Sequence, residues 1–126
     1  MEEQREFYTT KREKIWYLPS KGKDYWHRLD GPAVESADGS TYWYVDGKQH
    51  RLDGPAFEGA NGSKAWWVDG KRHRLDGPAI EYGNGTKEWW VDGKYLPEEE
   101  VEIWIKENNI DLKTEEDQMA FKLRWM

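Results

Sequence analysis

The chain contains no cysteine, which excludes disulfides and thiolate metal sites and fits a reducing compartment. No apolar run approaches the length of a membrane span, so no segment is expected to cross a bilayer. Met1 to Arg5 lack the basic-then-apolar order of a secretory leader, and a soluble, cytoplasmic protein is expected. A basic excess is also missing. The net charge is −6, and residues 97–126 hold nine acidic against four basic side chains, while residues 1–96 are close to neutral. Bulk binding to a nucleic-acid backbone or an anionic membrane is therefore disfavoured. The marks of catalysis are equally scarce: no His-Glu-x-x-His, no glycine-rich phosphate loop opening a helix, no nucleophile beside a base. No cofactor is expected.

What the chain has in excess is rings. Nine Trp, seven Tyr and three Phe in 126 residues concentrate the apolar surface in a few large side chains, enough for one domain with a modest core. These rings sit in a repeat. His27-Arg28-Leu29-Asp30-Gly31-Pro32-Ala33 recurs at His50 and at His73, each 23 positions on. Trp43-Tyr44-Val45-Asp46-Gly47-Lys48 recurs in step as Trp66 to Lys71 and Trp89 to Lys94. A period of this length means one supersecondary unit stacked on copies of itself. Such a surface arranges each side-chain type in a row, which suits binding rather than catalysis.

Within a unit the pattern reads strand, turn, strand, turn. Alternation at Ala33 to Ser36 ends at Asp38-Gly39, or at Asn61-Gly62 and Asn84-Gly85 in later copies, the strongest short hairpin signal. An aromatic strand from Ser40 to Val45 follows and stops at Asp46-Gly47. Residues 1–26 form a degraded first unit, with Ile15-Trp16-Tyr17-Leu18 as its aromatic strand and four extra residues before His27. Residues 27–95 hold the three full repeats. Residues 96–126 switch to helix signals: Pro97 before three glutamates, then Val101, Trp104 and Ile105 on one face. Asn108-Asn109 marks a stop, and Thr114 with Asp117 resembles a capping box. Met119, Leu123 and Met126 form a stripe of the second helix, with Phe121 and Trp125 beside it. The expected fold is mainly β: a curved, single-layer antiparallel meander of hairpin repeats, closed by a C-terminal two-helix cap.

The 23-residue period, the Asp-Gly-Lys-x-His corner and the aromatic hairpin resemble MORN repeats over roughly residues 15–95. That resemblance implies antiparallel hairpin arrays used for protein or lipid contacts. MORN units place a glycine directly after the His and another two positions on, where this chain has Arg28 and Asp30, Arg51 and Asp53, Arg74 and Asp76. The His-Arg-Leu-Asp-Gly-Pro-Ala block is more similar to a MORN-related repeat of small accessory proteins from tailed bacteriophages. This resemblance implies a protein acting on a host factor, such as a defence component or its signal molecule.

Four rows are candidates for function. Trp43, Trp66 and Trp89 share a face with Val45, Val68 and Val91, while Tyr44, Trp67 and Trp90 point the other way. One aromatic row is core; the other is either a second core layer or an exposed ladder for a ring, a sugar face or a partner's apolar anchor. His27, His50 and His73 stand about 10 Å apart by strand spacing, too far for one metal ion, so each is expected to bond a turn backbone. Arg28, Arg51 and Arg74 are structural partners of Asp30, Asp53 and Asp76, or they join the rings in cation–π and phosphate contacts with Lys71 beside them. Glu35, Glu58 and Glu81 occupy identical environments, which works against the split acidities that a carboxylate enzyme needs.

The expectation is thus a non-catalytic binding protein. Its candidate binding residues are Tyr44, Trp67, Trp90, Arg28, Arg51, Arg74 and Lys71. A host protein inhibited by a phage-type accessory protein is the first expected partner. Sequestration of a nucleotide or cyclic-nucleotide signal between Trp and Arg is the alternative, and carbohydrate binding is a third. Homo-oligomerisation is expected through Trp104, Met119 and Trp125 or an open sheet edge.

Overall fold

A computed structural model describes residues 6–10 and 12–126. Met1 to Arg5, read above for a leader, and residue 11 lie outside the described residues, as does the side chain of Glu6. The chain is mainly β, and the described residues form thirteen short strands followed by two helices. β1 (Glu6–Thr9), β2 (Glu13–Tyr17), β3 (Val34–Ser36) and β4 (Thr41–Tyr42) open a nine-stranded sheet. A small hairpin follows, β5 (Tyr44–Val45) and β6 (Lys48–Gln49), paired only with each other. The next unit gives β7 (Phe57–Glu58) and β8 (Lys64–Ala65) to the main sheet and β9 (Trp67–Val68) with β10 (Lys71–Arg72) as its hairpin. β11 (Ile80–Glu81), β12 (Lys87–Val91) and β13 (Lys94–Leu96) complete the sheet. Its members lie in sequence order, every neighbouring pair antiparallel.

Each full repeat therefore makes two hairpins, not one. The aromatic strand divides at Trp43 because its backbone N–H bonds Ala56 O of the next unit at 2.6 Å, and Trp66 does the same with Ala79 at 2.7 Å. The two turns also differ. At Asp46-Gly47, Asp69-Gly70 and Asp92-Gly93 both residues have positive φ, the two-residue primed turn whose twist suits a tight hairpin. At Asp38-Gly39, Asn61-Gly62 and Asn84-Gly85 only the glycine does. There Gly39 N–H bonds Ser36 O, and the Asp38 carboxylate accepts the Ser40 N–H at 2.9 Å, an Asx-stabilised turn.

Units are tied by bonds that repeat with the period. Ser40 Oγ accepts the Ala60 N–H and Ser63 Oγ accepts the Gly83 N–H. A methyl group on Gly83 would run into the Asn61 carbonyl oxygen, so this copy needs glycine where earlier ones carry alanine. The first, divergent unit joins the same scheme: Trp16 N–H bonds Ala33 O, and Tyr17 bridges Trp26 across the longer turn that holds Gly22.

The helices close the last repeat. α1 (Glu98–Glu107) starts after Pro97 with three glutamates in its first turn, and α2 (Glu115–Arg124) is capped by Thr114, whose hydroxyl accepts the Asp117 N–H. Val101, Phe121 and Trp125 pack on Trp89, Val91 and Leu96, with Leu75, Trp104, Ile105 and Leu112 around them. The inward side of α2 is thus Phe121 and Trp125, four residues apart. Met119, Leu123 and Met126, read from sequence as the helix stripe, are exposed. Trp125 is 7% exposed and Trp104 half-buried, so of the three residues assigned to oligomer contacts only Met119 is a surface side chain. The aromatic demand of the cap core has consumed the other two.

Candidate binding face

The sheet separates two sets of side chains. In one set, each repeat arginine lies flat on the tryptophan of the preceding aromatic strand. Arg28 sits 3.8 Å from the Trp16 ring centroid, Arg51 3.9 Å from Trp43 and Arg74 3.7 Å from Trp66. Each guanidinium is then fixed at its edge. Nε donates to Asp30, Asp53 or Asp76 at 3.0, 2.8 and 2.7 Å, and a terminal nitrogen donates to the carbonyl of Pro32, Pro55 or Pro78. Arg51 and Arg74 also bond Glu58 and Glu81. Sharing one guanidinium between a ring, two acids and a carbonyl uses up most of its donors. Asp53 illustrates the coupling, since its hydrogen bond with Arg51 lowers its pKa.

This row ends where the cap begins. The position 23 residues beyond Arg74 is Pro97, and Trp89 receives Phe121 in place of an arginine, edge to face with centroids 5.7 Å apart. Covering differs along the row as a result. Leu75, Trp89 and Val91 lie under the helices, whereas Leu52 of the preceding unit is 80% exposed.

Tyr44, Trp67 and Trp90 belong to the other set, and all three stay half-buried, away from the cap core. The hairpin register supplies their neighbours. A two-residue loop sets Tyr44 opposite Gln49, Trp67 opposite Arg72 and Trp90 opposite Tyr95. Trp26 continues the line, edge to face with Tyr44 at 5.1 Å. The periodic position thus carries Trp26, Gln49 and Arg72 before the three His, and Tyr95 before Leu96.

Arg72 is the odd member. Its guanidinium lies between two rings, 5.2 Å from Trp67 and 4.8 Å from Trp90. It forms no ion pair among the described residues, and its buried Nε makes no hydrogen bond there. It borders a 310 Å³ cavity with Gln49, Phe57, Asn61, Ser63, Lys64, Trp67, Ile80 and Tyr82. Tyr82 closes one side, its hydroxyl donating to Glu88, a bond that raises its pKa. Glu88 also accepts the Trp90 Nε1–H, so its carboxylate anchors that ring. Lys71 lines an adjoining hollow with Trp67, Arg72 and Trp90.

The histidines are structural in geometry. Nδ1 of His27, His50 and His73 accepts the backbone N–H of Asp46, Asp69 and Asp92 at 3.0, 3.0 and 2.9 Å, which bolts each primed turn to the start of its own unit. Burial lowers the pKa of His73, with Asp92 opposing and Lys122 adding to the effect. Among the described residues no three His, Asp or Glu side chains gather as a metal site.

Set against the sequence reading, Tyr44, Trp67, Trp90 and Lys71 share one surface, and Arg28, Arg51 and Arg74 are on another. Contacts between units are the reason: each arginine lies on the first ring of the preceding unit's aromatic pair, and alternation turns the second ring to the other face. The cation that does join the Tyr44 row is Arg72, which the sequence reading missed. The two-residue Asp69-Gly70 loop held the signal, because it forces residue 67 to face residue 72. Compared with protein-family models, characterised proteins and solved structures, the chain finds no match.

Proposed function

We propose that the chain is a non-catalytic binding protein that recognises a protein partner through the Tyr44, Trp67 and Trp90 face. One observation carries the reading: Tyr44, Trp67 and Trp90 are half-buried, free of the cap and not covered by a repeat arginine, while Trp43 and Trp66, half-buried too, carry Arg51 and Arg74, and Trp89 is covered by α2. A line of rings from Trp26 to Trp90 advances about 10 Å per unit, which suits a partner surface longer than one small molecule. Rings with a polar rim are the common anchors of such interfaces. The repeat's similarity to phage accessory proteins makes a host factor the proposed partner, with inhibition as the consequence of binding. A non-catalytic role agrees with the engagement of Glu58 and Glu81 by arginine.

The test is affinity capture from host lysate by the full chain and by a Trp67→Ala/Trp90→Ala variant with an intact far-UV spectrum. A partner retained by the parent and lost by the variant supports the reading. Equal capture by both removes the face from it.

A further inference from the structure

We infer that the cavity beside Arg72 binds a nucleoside monophosphate or a close relative, with the base on Trp67 and the phosphate at the guanidinium. The inference rests on the reading of the Tyr44–Trp67–Trp90 face as the recognition surface, and it names a chemistry for one part of it.

The argument starts from a break in the repeat. The His-Arg-Leu-Asp-Gly-Pro-Ala block and the Val-Asp-Gly-Lys turn are identical in all three units, yet the position before His carries Gln49 in one and Arg72 in the next. The fold offers this charge two ring faces, Trp67 and Trp90, but no acidic partner among the described residues. The repeat arginines each have a carboxylate at 3.0 Å or less, and Arg72 has none among the described residues. A half-buried cation without a counter-ion, with a buried Nε–H unbonded, is costly unless an anion arrives.

The surroundings select the anion. The cavity lining contains no acidic residue, and Lys64 stands at its wall while Lys71 stands in the adjoining hollow. Neither lysine makes an ion pair among the described residues. Arg72 and Lys64 are the two cations lining this cleft, a setting that suits a phosphate. The apolar wall of Phe57, Ala65, Trp67 and Ile80 offers a ring surface, and stacking on Trp suits any flat base. Gln49 contributes a side-chain amide with no hydrogen bond among the described residues, and such a group can donate to and accept from a base edge. The volume of 310 Å³ lies at the small end of ligand sites, which favours a mononucleotide over a dinucleotide.

Calorimetric titration of the full chain with adenosine 5′-monophosphate, adenosine and ribose 5-phosphate tests this. The nucleotide is expected to bind about tenfold or more tightly than either fragment. Arg72→Gln installs the residue that the preceding unit already carries, so the fold should hold, as its melting temperature will report. That variant should bring the nucleotide down to the adenosine affinity. Three results would overturn the inference: no nucleotide binding at millimolar concentration, ribose 5-phosphate binding as tightly as the nucleotide, or full nucleotide affinity in Arg72→Gln. Protein capture that depends on Trp67 and Trp90 would survive any of these, so the two readings fail separately.

Discussion

The guanidinium of Arg74 lies 3.7 Å from the centre of the Trp66 ring and is held there at once by Asp76, Glu81 and the Pro78 carbonyl. The same arrangement recurs at Arg51 on Trp43, so the chain covers large rings with repeated cations where a larger protein would use a second apolar layer. Arg74→Ala exposes the ring and strands its hydrogen-bond partners. The expected loss is about 2 kcal/mol in urea denaturation, combining a desolvated cation–π contact with lost charge-assisted bonds. Arg74→Lys should recover less than half, because an ammonium cannot lie flat and serve three acceptors.

How much of this was legible beforehand depends on what each residue answers to. The meander, its turns and both helices follow from local pattern: Asp-Gly pairs, alternating rings, Pro97 before three glutamates. The division of rings into two faces also follows, since it needs only side-chain alternation. What local pattern does not carry is which set the arginines join and what covers Trp89. Both are settled by contacts between units or between the sheet and α2. Arg72 escaped notice because it breaks the repeat, and a reading built on what recurs passes over what does not.

His73 makes stability depend on pH. Its Nδ1 must be unprotonated to accept the Asp92 N–H, and burial lowers its pKa from the model-peptide value of 6.5. Above that value both folded and unfolded chains are neutral at this site, and the full stability is present. As pH falls below it, the unfolded chain takes up a proton before the folded one, so stability declines until the lowered folded pKa is passed. Denaturation midpoints measured through this range should therefore fall on acidification. His73→Asn, which keeps an acceptor near the same place without titrating, should show a shallower decline.

Phe121 joins the cap to the sheet. It is fully buried and touches Trp89, Trp104 and Trp125 within one aromatic cluster. Phe121→Ala should cost about 3–5 kcal/mol and loosen the last repeat. Hydrogen exchange would register the change first at β12 and β13, with β3 and β4 less affected.

The central claim concerns which of the two ring rows meets a partner. Residue-resolved oxidative footprinting of the free protein and its captured complex compares them within one molecule. Trp67 and Trp90 are predicted to lose reactivity on binding while Leu52, on the arginine side, keeps its own. Protection of Leu52 with Trp67 and Trp90 unchanged would contradict the account.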